Sequence, residues 1–270
     1  MERVTHHGRD TAYRVSDRGG DGPAVCFVHG SGGSKDVWKA QARLSDRFPT
    51  VALDLSGHGD SGDIDGDDAG GGDAGAPDGP EAIEAYADDV VAVAEETGDR
   101  VLCGNSLGAA VALTVALDRD LDLDGLVLAG TGAKLTVAEP LRNALANDFE
   151  RAVALLHEPD RLFHDAPTEY VELSRAGMRD CGRAVTERDF RVCHAFDVRD
   201  RLGEIAVPSL AIVGEHDALT PVEYHDYLAD RIGDCTRAVV EDAAHLAMLE
   251  RPEAFNAALA AFRSRIDPTT

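Results

Sequence analysis

The 270-residue sequence predicts an α/β fold. It should have a mostly parallel central sheet, helices on both faces, and a helical lid inserted after the sixth strand. Three observations predict this. Short unbroken apolar runs, the mark of strands buried on both faces, alternate with segments of helical periodicity. Polar residues gather where several of these runs end, and open parallel sheets bind ligands at the carboxyl ends of their strands. From about residue 134 to 200 the alternation gives way to helical patterning, over a length that favours an insertion over a simple crossover.

Taken in order, residues 1–23 read as a polar β-hairpin, with Val4, Tyr13 and Val15 as its apolar members and Arg18–Pro23 as a turn. Ala24–Val28 is a buried strand that opens into His29-Gly30-Ser31-Gly32-Gly33-Ser34. Such a Gly-rich loop suits an anion or a carbonyl oxygen, and it carries neither G-x-x-x-x-G-K-[ST] nor G-x-G-x-x-G. Ser34 is placed to cap a helix over Asp36–Asp46, with Trp38 and Leu44 facing inward. Thr50–Leu55 is the next strand, and it runs into Ser56-Gly57-His58-Gly59-Asp60-Ser61. Residues 62–80 are Asp/Gly-rich and read as a mobile acidic surface insertion. Pro80–Thr97 reads as a helix, with Ile83, Tyr86, Val90 and Val93 at helical spacing.

Val101–Asn105 is followed by Ser106 and a small-residue helix start. Leu123–Ala129 is the sixth strand. Pro159 and Pro167 punctuate two or three helices after it. Strands over Ile205–Val213 and Thr236–Val240 follow, with helices over Pro221–Arg231 and Pro252–Ile266. The expected organisation is a core of residues 1–133 and 204–270 around a lid of residues 134–203. Leu141, Leu145, Phe149, Leu155, Leu156, Leu162 and Phe163 suggest a partly apolar acyl pocket, or packing within the lid.

The charge is unusual: 50 Asp+Glu stand against 26 Lys+Arg, for a formal net charge of −24, and only Lys35, Lys39 and Lys134 are lysines. Self-repulsion of this size is screened at molar salt, where the Debye length is about 3 Å. The composition resembles that of salt-in halophiles. No basic patch points to nucleic acid. No run of about 18 apolar residues points to a membrane span. The start, Met1–Gly8, shows no apolar secretory core, so a cytoplasmic location is expected. The five cysteines form no C-x-x-C or Cys/His cluster, so neither a zinc site nor a cofactor is expected.

Gly104-Asn105-Ser106-Leu107-Gly108 is a G-x-S-x-G pattern between a strand and a helix, the context in which Ser sits on a sharp turn with its hydroxyl exposed. Alone the pattern is a weak signal. The N–H of Leu107, at a helix start, can bind a developing oxyanion. Ser106, Asp217 and His245 follow three different strands and can meet at one rim. An imidazole takes and returns the Ser proton, and a carboxylate fixes its tautomer.

These motifs resemble the α/β-hydrolase fold family, its esterase/lipase- and C–C-hydrolase-like branch with a small lid. The matching residues are His29–Gly33, Asp54-x-x-Gly57-His58-Gly59-x-Ser61, Gly104–Gly108, Gly214-x-x-Asp217-x-x-x-Pro221, and His245 before Glu250-Arg251-Pro252-Glu253. The resemblance implies Ser106 as nucleophile, His245 as base and Asp217 as acid, with the backbone N–H groups of Ser31 and Leu107 as oxyanion donors. Family members with an Asp nucleophile, the haloalkane dehalogenases and epoxide hydrolases, are disfavoured by Ser106. His58 is then structural, Asp54 belongs to a packing turn, and His216 is rim decoration. Asp120, Asp122 and Asp124 read as a solvated turn, His164 and His194 as solvent-facing lid residues, and Cys103 as core. The expected activity is hydrolysis of a small carboxylic ester or related acyl compound. Carbon–carbon hydrolysis, lactone opening, thioester hydrolysis and perhydrolysis fit the same triad, and a non-catalytic ligand-binding role is the other class.

Overall fold

A computed structural model describes residues 1–64 and 79–266; most of the acidic insertion expected at 62–80 lies outside them. The chain opens with β1 (Glu2–His6) and β2 (Arg9–Ser16), an antiparallel hairpin. Its turn is His7-Gly8, both at positive φ, and not Arg18–Pro23, which instead leads into the sheet. Tyr13 is buried as expected, but Val15 is exposed. β3 (Val25–Val28), β4 (Thr50–Leu53), β5 (Val101–Asn105), β6 (Gly125–Ala129), β7 (Ser209–Gly214) and β8 (Cys235–Val240) complete one sheet in the order β1-β2-β4-β3-β5-β6-β7-β8. From β4 to β8 every pairing is parallel.

The register aligns the strand ends. Val28 pairs with Leu53 and Gly104, Asn105 with Ala129, and Gly214 with Val240. The loops that follow therefore emerge along one edge. β3 to β7 are buried at every position, which explains their unbroken apolar character. The helices α1 (Gly79–Thr97) and α2 (Leu107–Asp118) pack on each other, and α2 is buried from Leu107 to Val115.

Further expectations change. Asp36–Asp46 is not one α-helix but two 3-10 segments, Lys35–Trp38 and Gln41–Asp46. Of its buried positions, Lys35, Trp38, Gln41 and Leu44 recur every three residues, the period of a 3-10 helix, with Ser45 buried beside the last of them. The strand expected from Ile205 begins only at Ser209, after a 3-10 turn at Leu202–Glu204 and Pro208.

Between β6 and β7 stand four helices, one more than the largest number expected: α3 (Glu139–Asn147), α4 (Phe149–Leu156), α5 (Thr168–Cys181) and α6 (Arg183–Ala195). The ends of this insertion meet where Lys134 bridges Asp197 and the Val198 N–H donates to the Ala133 carbonyl. The remaining helices are α7 (Val222–Arg231), α8 (Ala247–Glu250) and α9 (Pro252–Ile266). Among the described residues, no helix is long and apolar enough to cross a membrane.

Candidate active site

Ser106 sits between β5 and α2 at φ 55°, ψ −116°. A side-chain-bearing residue adopts such a backbone only when its surroundings enforce it. The two flanking glycines allow it. A Cβ on Gly104 would lie 2.2 Å from the Gly108 carbonyl oxygen, and one on Gly108 would lie 2.3 Å from that of Val28. The Ser106 N–H donates to the Ala129 carbonyl at 2.9 Å, which ties the turn to the neighbouring strand.

Asp217 follows β7 and His245 follows β8. Asp217 is held by four donors: the Leu219 and Thr220 N–H groups on Oδ1 at 2.9 Å each, and the Thr220 hydroxyl and His245 Nδ1 on Oδ2 at 2.8 Å each. Burial works to raise its pKa, but His245 and these hydrogen bonds hold the carboxyl below its ordinary value. Nδ1 of His245 faces this carboxylate and so carries a proton, which leaves Nε2 of the neutral ring as the acceptor. Asn105 Nδ2 donates to the His245 carbonyl at 3.4 Å and so joins the serine turn to the histidine loop.

Ser106 and His245 line one cavity of about 930 Å³, together with Ser31, Leu141, Leu156 and Leu162. Its size suits a small organic ligand. Three of the seven apolar residues singled out for an acyl pocket thus line it. Leu145 and Phe163 instead belong to the buried core, with Phe149 and Leu155 packed against that core.

The profile of the alpha/beta hydrolase family matches residues 27–258. The chain belongs to that family. It is 26% identical to a 3-oxoadipate enol-lactonase 2 of Acinetobacter baylyi over 92% of this chain and 91% of that one. It is 30% identical to a pimeloyl-[acyl-carrier protein] methyl ester esterase of Neisseria meningitidis over 86% of this chain and 90% of that one. The solved structure of a thermophilic esterase superposes with a TM-score of 0.81 at 27% identity, covering 98% of this chain and 97% of the other. Relatives of these names set this alpha/beta hydrolase among the hydrolases.

Within this family member, the rival candidates have other work. Asp54 accepts from the Lys35 N–H (2.7 Å), Lys35 Nζ (2.6 Å) and the Asp60 N–H (2.9 Å), so it binds two loops together. His29 is sealed. Its Nε2 accepts from the Leu55 N–H, Nδ1 donates to the Gly30 carbonyl, and burial and the nearby His58 lower its pKa to about 4. Asp122 and Asp124 are not merely solvated, since both pair with Arg100. The exposed His194 accepts the Val137 N–H on Nδ1. Cys103 is core.

His164 and His216 stack at 3.7 Å with planes 15° apart. With Asp160 they form one of two clusters among the described residues whose ligand atoms could hold a metal; Glu215, His216 and Asp242 form the other. Nearly parallel rings point their in-plane lone pairs side by side and not at one ion.

Two further buried side chains brace these loops: Glu250 stands in the motif that follows His245, and Asp189 stands in none. The Glu250 carboxylate accepts the N–H groups of Ala244 (2.7 Å), His164 (2.9 Å) and Asp165 (2.9 Å), and so ties the residue before His245 to the turn at residues 164–165. Asp189 of α6 reaches the Gly32 N–H and His58, each at 2.9 Å. Its place on the buried face of α6, with Thr186, Val192 and Cys193, is the trace it leaves in the sequence.

Proposed function

We propose that this hydrolase cleaves a small carboxylic ester or lactone through a Ser106–His245–Asp217 triad and an acyl-enzyme. The observation that carries the reading is the 2.8 Å His245–Asp217 bond on the wall of the cavity that Ser106 also lines. Ser106 Oγ attacks the carbonyl carbon and gives its proton to His245 Nε2. The oxyanion rests on the N–H groups of Ser31 and Leu107. The alcohol departs with the proton from His245, or stays tethered if the substrate is a lactone. Water, deprotonated by His245, then attacks the acyl carbon and releases the acid and free Ser106. Asp217 stabilises the imidazolium in both halves. The names of the enol-lactonase and esterase relatives support this choice of bond.

Within this reading, residues 134–203 form a lid that selects the substrate, between core segments 1–133 and 204–270. The acid excess fits a working environment of molar salt inside a cytoplasm. The test compares parent and Ser106→Ala on p-nitrophenyl acetate, butyrate and octanoate, with fluorophosphonate labelling, in dilute and molar KCl. The parent should turn over and label, best in molar KCl, and the variant should lose both by at least about 10⁴-fold. A folded parent that does neither overturns the proposal and favours a binding role.

A further inference from the structure

Ser31 is expected to donate one of the two oxyanion hydrogen bonds, so what aims its N–H decides how well the hole works. A trans peptide points its N–H opposite to its carbonyl. The Gly30 carbonyl, in the same peptide plane as the Ser31 N–H, accepts from His29 Nδ1 at 2.8 Å and from the Gly33 N–H at 3.1 Å. This plane is therefore pinned from the core side. A Cβ on Gly30 would come within 3.2 Å of Ser106 Cβ, so the pinned plane lies against the serine. The next plane, between Ser31 and Gly32, is pinned from the other side. Its N–H donates to Asp189 Oδ2 at 2.9 Å.

Asp189 does not come from the sheet. It projects from α6, the last of the inserted helices, and is 0% exposed. Its carboxylate is fully engaged: Gly32 N–H and His58 Nε2 on Oδ2, and the Tyr86 hydroxyl on Oδ1 at 2.7 Å. Each ring nitrogen of His58 faces an oxygen acceptor. Nδ1 lies 3.1 Å from the Ser56 carbonyl and Nε2 lies against the carboxylate, so both nitrogens carry protons and the ring is an imidazolium. Arg188 donates to the Tyr86 oxygen at 2.9 Å and to the Ser56 carbonyl at 2.9 Å, and so closes the network. A buried carboxylate with a matched cation and two further donors is held in one place far more tightly than a surface ion pair.

We propose that Asp189 is a positioning residue for the reaction: from the inserted helices it fixes the Ser31–Gly32 peptide and thereby aims the Ser31 N–H at the oxyanion. The inserted helices would then complete the oxyanion hole as well as cover the cavity. This inference rests on the Ser106 acyl-enzyme reading.

The test measures kcat per active site, titrated with a fluorophosphonate, and the affinity of an alkyl boronic acid that becomes tetrahedral on Ser106. Three variants are compared with the parent. Asp189→Ala removes the acceptor, and it should lower kcat about 100-fold and weaken the boronate in parallel, with KM changed less than about threefold. Asp189→Asn keeps an oxygen for Gly32 and should recover most of both. Tyr86→Phe removes one donor from the carboxylate and, where Asp189→Ala fails to fold, decides alone. It should lower kcat and boronate affinity about threefold together. Parental kcat and boronate affinity in Asp189→Ala, or in Tyr86→Phe where that variant decides alone, overturn the inference, even if melting temperatures fall. A parent that neither labels nor hydrolyses esters overturns the Ser106 reading and this inference with it. An active parent beside an unaffected Asp189→Ala overturns this inference only.

Discussion

Among the described residues stand two buried His–Asp pairs of nearly the same length, His245–Asp217 at 2.8 Å and His58–Asp189 at 2.9 Å. In both, the carboxylate is held below its ordinary value against the opposing effect of burial. They differ in what the other ring nitrogen meets. His245 lines the cavity and spends only Nδ1 on its partner. His58 is 0% exposed and spends both nitrogens, one on the Ser56 carbonyl and one on Asp189. A His–Asp pair is a candidate base only when the far nitrogen is open to substrate; with both nitrogens occupied, the same pair becomes a structural tie. Proximity and burial do not separate the two, but the hydrogen-bond inventory of the ring does.

The largest effect that would break this contrast is on the open pair. Asp217→Asn leaves the loop hydrogen bonds on Oδ1 but presents an amide to His245, which favours the wrong tautomer. The expected loss in kcat is about 10⁴-fold with little change in melting temperature, read by ester turnover and calorimetry. A loss below tenfold would mean that Asp217 does not orient the base.

The sealed pair should answer in the opposite currency. His58→Gln leaves Asp189 buried without its cation, and the expected cost is about 3–5 kcal/mol in urea unfolding. The pH dependence carries a sign. Burial opposes the charged form of His58, but Asp189 raises its pKa well above 6.5. The unfolded ring releases its proton near pH 6.5 while the folded ring keeps it, so the native state binds more protons and stability falls as pH rises above that point. Below it the contribution of His58 is fully present. The share of Asp189, whose pKa is lowered, is lost on the acid side instead. The parent should therefore lose stability from about pH 6.5 upward, and His58→Gln should flatten that slope. An unchanged slope would mean that His58 is neutral in the fold.

Much of the open pair was legible in the sequence. Ser106, Asp217 and His245 each follow an apolar strand, and the parallel register brings those strand ends to one edge. The sealed pair was half legible. His58 could be set aside as structural, but its partner lies 131 residues away on a helix whose orientation no local pattern specifies. Asp189 is one acid among 50 Asp+Glu, and only its helical spacing from Val192 and Cys193 marks it as inward-facing. The period of three in Lys35, Trp38, Gln41 and Leu44 was likewise present, but a few buried residues in so short a segment fit an α-helix nearly as well. Contacts local in sequence were readable, whereas contacts between the inserted helices and the sheet required the fold.

The smallest expected effect sharpens the comparison from the open side. The Thr220 hydroxyl donates to Asp217 Oδ2, the same oxygen that receives His245 Nδ1. Thr220→Val keeps the shape of the side chain and removes that donor, while the Leu219 and Thr220 N–H groups still hold Oδ1. One hydrogen bond to a charged acceptor is worth about 1.5–3 kcal/mol gross of compensation, and the remaining donors retain most of the orientation. The expected result is a three- to tenfold fall in kcat, about 0.6–1.4 kcal/mol on the barrier, with KM unchanged. If kcat holds and only the melting temperature drops, the two backbone donors suffice to orient Asp217. The open pair would then owe its geometry to its loop, as Ser31 is proposed to owe its own to Asp189.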